Sequence, residues 1–298
     1  MSKYIVTGGA GFIGSHIVDA LVLEGHEVHI IDNLSEGTKE NVNPKAILHQ
    51  ADIRNLEEIK PLFVGVDGVF HLAALPRVQF SIEEPVVTHN VNITGTMNVC
   101  IAAREAGVKR IVYSASSSAY GDQDVMPLIE TMMPNPKSPY GLQKYVGEVY
   151  MKVWSEVYAI ETVSLRYFNV YGPRQSSEGA YALVIARFLK QKKDGQKMTI
   201  TGDGLQTRDF THVRDVVKAN LLAMQSQKVG KGEVINIGAG HNHSVLEIAK
   251  LLGGEYEFIE ARLEPKHTLA DNTKAKELLG WVPKEDFKSS IEELLQLN

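Results

Sequence analysis

Through the first half of the chain, short apolar runs alternate with longer stretches whose apolar positions recur at helical spacing. Tyr4–Thr7, Val28–Asp32, Ile47–Gln50, Gly68–Leu72, Arg110–Ser114 and Thr162–Arg166 read as strands. Phe12–Glu24, closed by Gly25, and Val86–Ala106, closed by Gly107, read as helices between them. This order predicts an α/β fold, a doubly wound parallel sheet with helices on both faces. The second half is less regular. Ala180–Lys193, Val213–Ser226, Ser244–Leu252, Thr273–Leu279 and Phe287–Gln296 have helical spacing, and Met198–Thr201 and Val234–Ile237 have strand character. The largely apolar run Val234–Ile237 suits a buried parallel strand that rejoins the main sheet. The expected division is therefore residues 1–168 plus about 211–237 in the larger domain. A smaller mixed domain takes about 169–210 plus 238–298.

Composition narrows the class. The chain has 298 residues, 44% hydrophobic and 22% charged, with a net charge of -5. That is long enough for a substantial core, and the charge argues against a nucleic-acid partner. Cys100 is the only cysteine, so no intrachain disulfide forms and no cysteine cluster suggests a metal. A reducing cytoplasm is the expected compartment. No apolar run is long enough to span a membrane. The N-terminal apolar stretch is broken by glycines and reads as a strand entering a turn, not as a signal peptide.

That turn carries the first chemistry. Gly8, Gly11 and Gly14 lie between the first strand and the first helix. Glycines at this spacing permit a tight turn, let a pyrophosphate approach the backbone, and let the helix pack closely on the strand. Uncapped N–H groups at the helix start then face phosphate. Asp32 ends the second strand, where a carboxylate accepts bonds from both ribose hydroxyls and repels a 2′-phosphate. NAD is the expected cofactor, ahead of NADP. The plainer alternative is a glycine-rich turn with a capping aspartate.

A second constellation lies further along. Ser138 has N-cap character and Pro139 suits the first helical position, so Tyr140 and Lys144 share one helix face. A phenol has a pKa of about 10, and roughly 4 kcal/mol must favour its anion before it serves as a base near neutrality. A neighbouring ammonium, an oxidised nicotinamide and a helix N-terminus all act in that direction. Ser116 follows the strand Arg110–Ser114, where parallel sheets place ligands, and its hydroxyl can bond the same substrate oxygen as Tyr140. Ser114, Ser117 and Ser118 are competitors for that role.

With these motifs in order, the chain resembles the extended short-chain dehydrogenase/reductase family, whose larger domain is a Rossmann fold. The resemblance runs from Val6-Thr7-Gly8-Gly9-Ala10-Gly11-Phe12-Ile13-Gly14 through Asp32-Asn33-Leu34, Asp52-Ile53-Arg54 and His71-Leu72-Ala73-Ala74. It continues through Asn92-Ile93-Thr94-Gly95-Thr96, Ser138-Pro139-Tyr140-Gly141 with Lys144, and Arg166-Tyr167-Phe168-Asn169-Val170-Tyr171-Gly172-Pro173-Arg174. Thr207-Arg208-Asp209-Phe210-Thr211-His212-Val213 and Asn236-Ile237-Gly238 complete it. Within the family it is most similar to UDP-hexose 4-epimerases, especially those accepting N-acetylhexosamines.

The resemblance implies roles. Phe12, Ile13, Asp32, Asn33, Asp52, Ile53, Leu72, Ala73, Ala74, Asn92 and Phe168 match NAD contacts, and Tyr140 and Lys144 count among the cofactor-binding positions as well. Ser116, Tyr140 and Lys144 match the catalytic triad. Asn169 and Arg208 match positions that hold the diphosphate, and Thr199 and Thr201 match backbone contacts to uracil. Arg262 is a diphosphate candidate displaced by one residue from the family spacing. Pro76 stands where some relatives carry a lysine and receives no role. Thr268 aligns to a gate over the sugar's C2 substituent, and a threonine there leaves room for an N-acetyl group.

The implied reaction is oxidation at C4 by hydride transfer to NAD, rotation of the 4-keto sugar, and return of the hydride to the opposite face. Related dehydratases carry an Asp-Glu pair directly after the active-site hydroxyl; here Ser117 and Ser118 occupy those places. A UDP-uronic acid epimerase or decarboxylase, or a nucleotide-sugar reductase, shares the early step and is the second expectation. A non-catalytic NAD-binding sensor is the remote one. Relatives dimerise through the helices corresponding to Val86–Ala106 and Pro139–Tyr158, which makes a homodimer the expected assembly. Tyr150, Met151, Trp154 and Val157 are the candidate seam.

Overall fold

A computed structural model of the chain describes residues 1–176, 183–260 and 267–297. The chain order begins β1 (Lys3–Thr7), α1 (Phe12–Leu23), β2 (Glu27–Ile31), β3 (Ile47–His49), α2 (Leu56–Ile59), β4 (Gly68–His71) and α3 (Val78–Glu83). Next come α4 (Pro85–His89), a π-helical segment (Asn90–Gly95), α5 (Thr96–Glu105), β5 (Arg110–Ser116), α6 (Pro139–Tyr158) and β6 (Glu161–Tyr167). The remainder is α7 (Val184–Lys193), β7 (Met198–Thr201), β8 (Thr207–Asp209), α8 (Val213–Gln225), β9 (Lys231–Ile237) and β10 (Asn242–Ser244). α9 (Val245–Leu252), β11 (Tyr256–Ile259), α10 (Thr273–Leu279) and α11 (Phe287–Leu297) close it.

Seven strands form one parallel sheet in the order β3-β2-β1-β4-β5-β6-β9. β9 rejoins that sheet beside β6, as its apolar run predicts. Alternation along the strands divides the core between two faces. Val6, Ile30, Phe70, Val112 and Val163 pack with α1 and α8 on one side; Ile5, Ile31, Val69, Ile111 and Tyr113 pack with α5 and α6 on the other. A third core joins Tyr171, Phe188, Ile200, Phe210, Ile248 and Ile291 around two small sheets, β10-β8 and β11-β7.

Three expectations need correction. Residues 273–281, expected with the smaller region, return to the main core: Ala275, Leu279 and Trp281 pack beside α8, and the Trp281 indole donates to the Asp215 carbonyl at 2.9 Å. The expected single helix Val86–Ala106 is broken at its centre by the π-helical turn. The expected seam on α6 is also misplaced. Met151 and Trp154 are buried in the core shared with α5, where the Trp154 indole donates to the Cys100 carbonyl, and Val157 alone of the four is exposed. The exposed apolar positions of that helix are Leu142, Val149, Val153, Val157 and Tyr158. No helix among the described residues is long and apolar enough to cross a membrane.

Candidate active site

The cofactor half of the site begins where β1 ends. Gly8 has φ +70°, and a side chain there would place its Cβ 2.8 Å from the Ala73 nitrogen. At Gly14 a Cβ would lie 2.1 Å from the Gly8 carbonyl oxygen, so only glycine lets α1 start this close to the sheet. Gly11 is the N-cap of α1 and offers no side-chain cap, which leaves the N–H groups of Phe12 and Ile13 for a ligand. Their side chains pack on the main core. Asp32, buried just past β2, accepts from Ala10 N at 3.0 Å through one oxygen and from Leu34 N at 2.8 Å through the other. Each oxygen keeps a lone pair for a ribose hydroxyl. Asp52 is held to about 2 by the Arg54 guanidinium, with the Asn33 amide adding a bond at 2.9 Å. It is thus an ionised acceptor beside Ile53. The glycine cradle, the uncapped helix start and the two placed carboxylates fit a dinucleotide of the NAD kind.

Below this cradle runs a closed hydrogen-bond chain. Leu72 N and Ala73 N both donate to Thr7 Oγ1 at 3.2 Å, which fixes the turn leading to Ala74. Thr7 Oγ1 lies 2.7 Å from His71 Nδ1, and His71 Nε2 lies 2.9 Å from Thr96 Oγ1. The Thr96 hydroxyl in turn donates to the Asn92 carbonyl. Burial holds His71 neutral, its pKa lowered to about 3. Asn92 lies in the π-helical segment. Its side chain accepts from Leu75 N at 2.8 Å and donates both to the Leu75 carbonyl and to Gln143 Oε1 on α6. The break in the helix therefore carries the residue that ties the β4 loop to the helix holding Tyr140.

α6 begins as its sequence predicts. Ser138 Oγ accepts from Gly141 N at 3.1 Å, Pro139 opens the helix, and Tyr140 N donates to Ser81 Oγ. Strand β5 runs two residues beyond its expected end, so Ser116 closes the strand. Its hydroxyl bonds the Tyr140 phenol and favours the anion, yet burial dominates and pushes Tyr140 up to about 12. The neighbouring serines do other work. The Ser114 carbonyl accepts from Lys144 Nζ at 2.7 Å, and the Ser118 hydroxyl donates to Ser116 Oγ at 2.8 Å. Lys144 is buried, 5.0 Å from the centroid of the Tyr113 ring, and desolvation lowers it to about 7. Ser116, Tyr140 and Lys144 are thus brought to one place at the C-terminal end of β5.

The opposite wall is looser. Phe168 is wholly buried against Tyr120, Leu128 and Ala270, so its side chain serves the core. Asn169, at φ +31°, donates to the Asp209 carbonyl at 3.0 Å and to Thr268 Oγ1 at 3.4 Å. Thr268 Oγ1 also accepts from Asp209 N, which binds the expected gate residue to β8. Arg208 lies on β8 and donates to the Thr207 carbonyl. Thr199 and Thr201 lie on β7. The Thr199 N–H donates to Gln191 Oε1 and its carbonyl accepts from Arg187, while the Thr201 carbonyl accepts from Gln206. Arg262 lies outside the described residues. Sequence reasoning missed Asp209 as a hub. Fully buried, it accepts from Ala239 N at 2.6 Å, Gly240 N at 3.1 Å and Ala270 N at 3.0 Å, while burial raises it to about 6. A lone aspartate inside a quoted motif gave no signal of three loops converging on it.

Residues 4–238 match the NAD dependent epimerase/dehydratase family. The chain belongs to that family. It is 42% identical over 299 residues to a putative UDP-glucose 4-epimerase of Methanocaldococcus jannaschii, covering 98% of this chain and 96% of the relative. A UDP-glucose 4-epimerase from Thermotoga maritima, solved with UDP-glucose, superposes with a TM-score of 0.95 at 39% identity, covering 99% and 97% of the two chains. A UDP-N-acetylglucosamine 4-epimerase from Methanobrevibacter ruminantium, solved with UDP-N-acetylmuramic acid, gives 0.94 at 36%, again covering 99% and 97%. This member of the epimerase/dehydratase family is accordingly an NAD-dependent enzyme, an isomerase of the UDP-sugar epimerase group.

Proposed function

We propose that the enzyme inverts the C4 configuration of UDP-N-acetylglucosamine and UDP-N-acetylgalactosamine, and accepts UDP-glucose and UDP-galactose as well. The meeting of Ser116, Tyr140 and Lys144 carries this reading. The dinucleotide lies over residues 1–168 plus about 211–237. The sugar nucleotide lies against the remainder apart from residues 273–281, with Asn169, Arg208 and Arg262 toward the diphosphate and β7 toward the uracil. NAD, when bound, supplies the acceptor and later the donor of the C4 hydrogen with its electron pair.

The chain's own groups handle the proton. Tyr140 Oη takes it from the C4 hydroxyl and returns it, while Ser116 Oγ bonds the same oxygen. A phenol near 12 is a poor base, so its anion needs positive charge brought close; Lys144 and the start of α6 supply part of it. Ser117 and Ser118 stand where a dehydratase needs an acid and a base, and neither residue serves at neutral pH. Thr268 leaves space over C2, which favours N-acetyl substrates. The exposed apolar row Leu142, Val149, Val153 and Val157 supports a homodimer through α6. A single, buried, unpaired Cys100 suits a reducing cytoplasm.

The test is NMR observation of C4 inversion in each UDP-sugar. Tyr140→Phe is expected to lower turnover by about a thousandfold or more while NAD stays bound. Near-normal turnover in that variant refutes the assignment.

A further inference from the structure

One turn beyond Lys144 on α6 lies Glu148, a buried carboxylate with no part in the proton transfer just described. Its two oxygens accept from Arg166 on β6, at 2.8 Å to Nε and 2.7 Å to Nη2. The guanidinium is equally buried and stacks 4.4 Å from the centroid of the Tyr120 ring, whose hydroxyl donates to Asn236 Oδ1. Desolvation offsets most of the attraction in such a pair, so burial of an ion pair here is poorly explained by stability alone.

Its position supplies another reason. Tyr140, Lys144 and Glu148 recur every fourth residue and share one face of α6. Lys144 donates to a neutral acceptor, the Ser114 carbonyl, and burial works against its charge. The titratable groups packed around it are the Tyr140 phenol and Glu148 on α6, Tyr113 on β5 and the neutral His71 on β4. Cys100 on α5 lies behind Tyr113, and Arg166 reaches in from β6. Glu148 is the carboxylate in that set: burial raises its pKa, the Arg166 clamp opposes that and favours the anion, and that charge favours the ammonium. We propose, on the epimerase reading of Lys144, that Glu148 clamped by Arg166 is a positioning residue that keeps Lys144 in its ammonium form beside Tyr140.

The full-length protein labelled with 13C-lysine gives the titration midpoint of Lys144 from its Cε signal, assigned by its loss in Lys144→Met, with no sugar nucleotide present. In Glu148→Gln the midpoint falls by about one pH unit or more. The alkaline limb of the epimerisation profile moves down with it. Glu148→Gln/Arg166→Gln removes both charges and keeps a hydrogen-bonding pair; its midpoint falls by less, and it decides the matter where the single variant does not fold. An unchanged midpoint in a folded variant overturns the proposal even if the wild-type enzyme epimerises normally. A shifted midpoint in a protein that epimerises nothing leaves the role of Glu148 standing and overturns the function instead.

Discussion

The two sides of the proposed site are built by different means. The cofactor wall hangs from the ends of β1, β2 and β4, and its polar groups close on one another from Leu72 through Thr7, His71 and Thr96 to Asn92. The wall proposed for the sugar nucleotide draws on short strands and loops far apart in the chain, gathered on one carboxylate, Asp209. A wall fixed by the main sheet suits a ligand common to a whole family. A wall assembled from loops can be altered one segment at a time, and that suits a variable sugar.

The largest effect is expected where the cofactor wall admits no atom at all. Gly14→Ala puts a Cβ 2.1 Å from the Gly8 carbonyl oxygen and 2.9 Å from its carbon, both backbone atoms. The helix start must shift, at about 3 kcal/mol of stability, and with it go the N–H groups offered to the pyrophosphate. Protein purified with this change should release no NAD on denaturation and should unfold at lower urea. Retention of both NAD and wild-type stability removes the claim that this wall is rigid.

The same contrast decided what the sequence disclosed. Gly8, Gly14, Asp32, Ser138 and Pro139 act through local backbone geometry, and their positions relative to a strand or helix start were readable before any fold was known. The β-strands of the large sheet followed from runs of Val and Ile, with ends in error by one to three residues, the most at the start of β9. Asp209, Glu148 and His71 were invisible because their partners lie 18 to 64 positions away. β8, β10 and β11 escaped notice for another reason: Thr207–Asp209 and Asn242–Ser244 hold no apolar residue, and Tyr256–Ile259 is a short, mostly exposed strand. Trp154 deceived because an aromatic beside exposed valines looks like an interface, whereas its indole is spent on Cys100.

On the looser wall the next effect is expected at its hub. Asp209→Asn leaves one oxygen where two served three N–H donors, and turns an amide N–H₂ toward at least one of them. An unsatisfied buried donor costs about 1–3 kcal/mol. The loop after Ile237 and the segment at Ala270 then lose their common anchor beside β8, whose backbone holds Asn169 and Thr268. The KM for UDP-sugar should rise about thirtyfold at 2 kcal/mol, with NAD content unchanged. Loss of NAD together with substrate affinity would mean that the two walls are not independent.

A smaller, more selective effect is expected at Thr268. Thr268→Tyr fills the space over C2 and should reduce turnover of N-acetylhexosamine substrates about tenfold more than that of the unsubstituted hexoses. The threonine hydroxyl also accepts from Asp209 N and Asn169 Nδ2, so Thr268→Val is needed beside it to isolate the loss of those bonds. Equal losses for both sugars in Thr268→Tyr remove the steric account.

The smallest effect separates the walls by acid. The Thr96 hydroxyl is committed to the Asn92 carbonyl, so it accepts from His71 Nε2–H, and His71 Nδ1 accepts from Thr7. A proton on Nδ1 would set donor against donor in this chain. Burial accordingly lowers His71 to about 3, below its unfolded value near 6.5. The unfolded chain therefore takes up a proton below pH 6.5 that the folded chain refuses. The contribution is complete above that pH and is lost as pH falls toward 3, at up to about 1.4 kcal/mol per pH unit. His212, at the start of α8, is lowered to about 4 and adds a slope of the same sign. Urea unfolding between pH 5 and 7 should show a shallower pH dependence, by one proton, in His71→Gln than in the wild type. The glutamine amide can donate to Thr96 while its oxygen accepts from Thr7, so the chain of bonds has a neutral replacement. Identical slopes would mean that His71 takes up its proton in the folded protein as readily as in the unfolded chain, and the bond to Thr7 would then have to reverse.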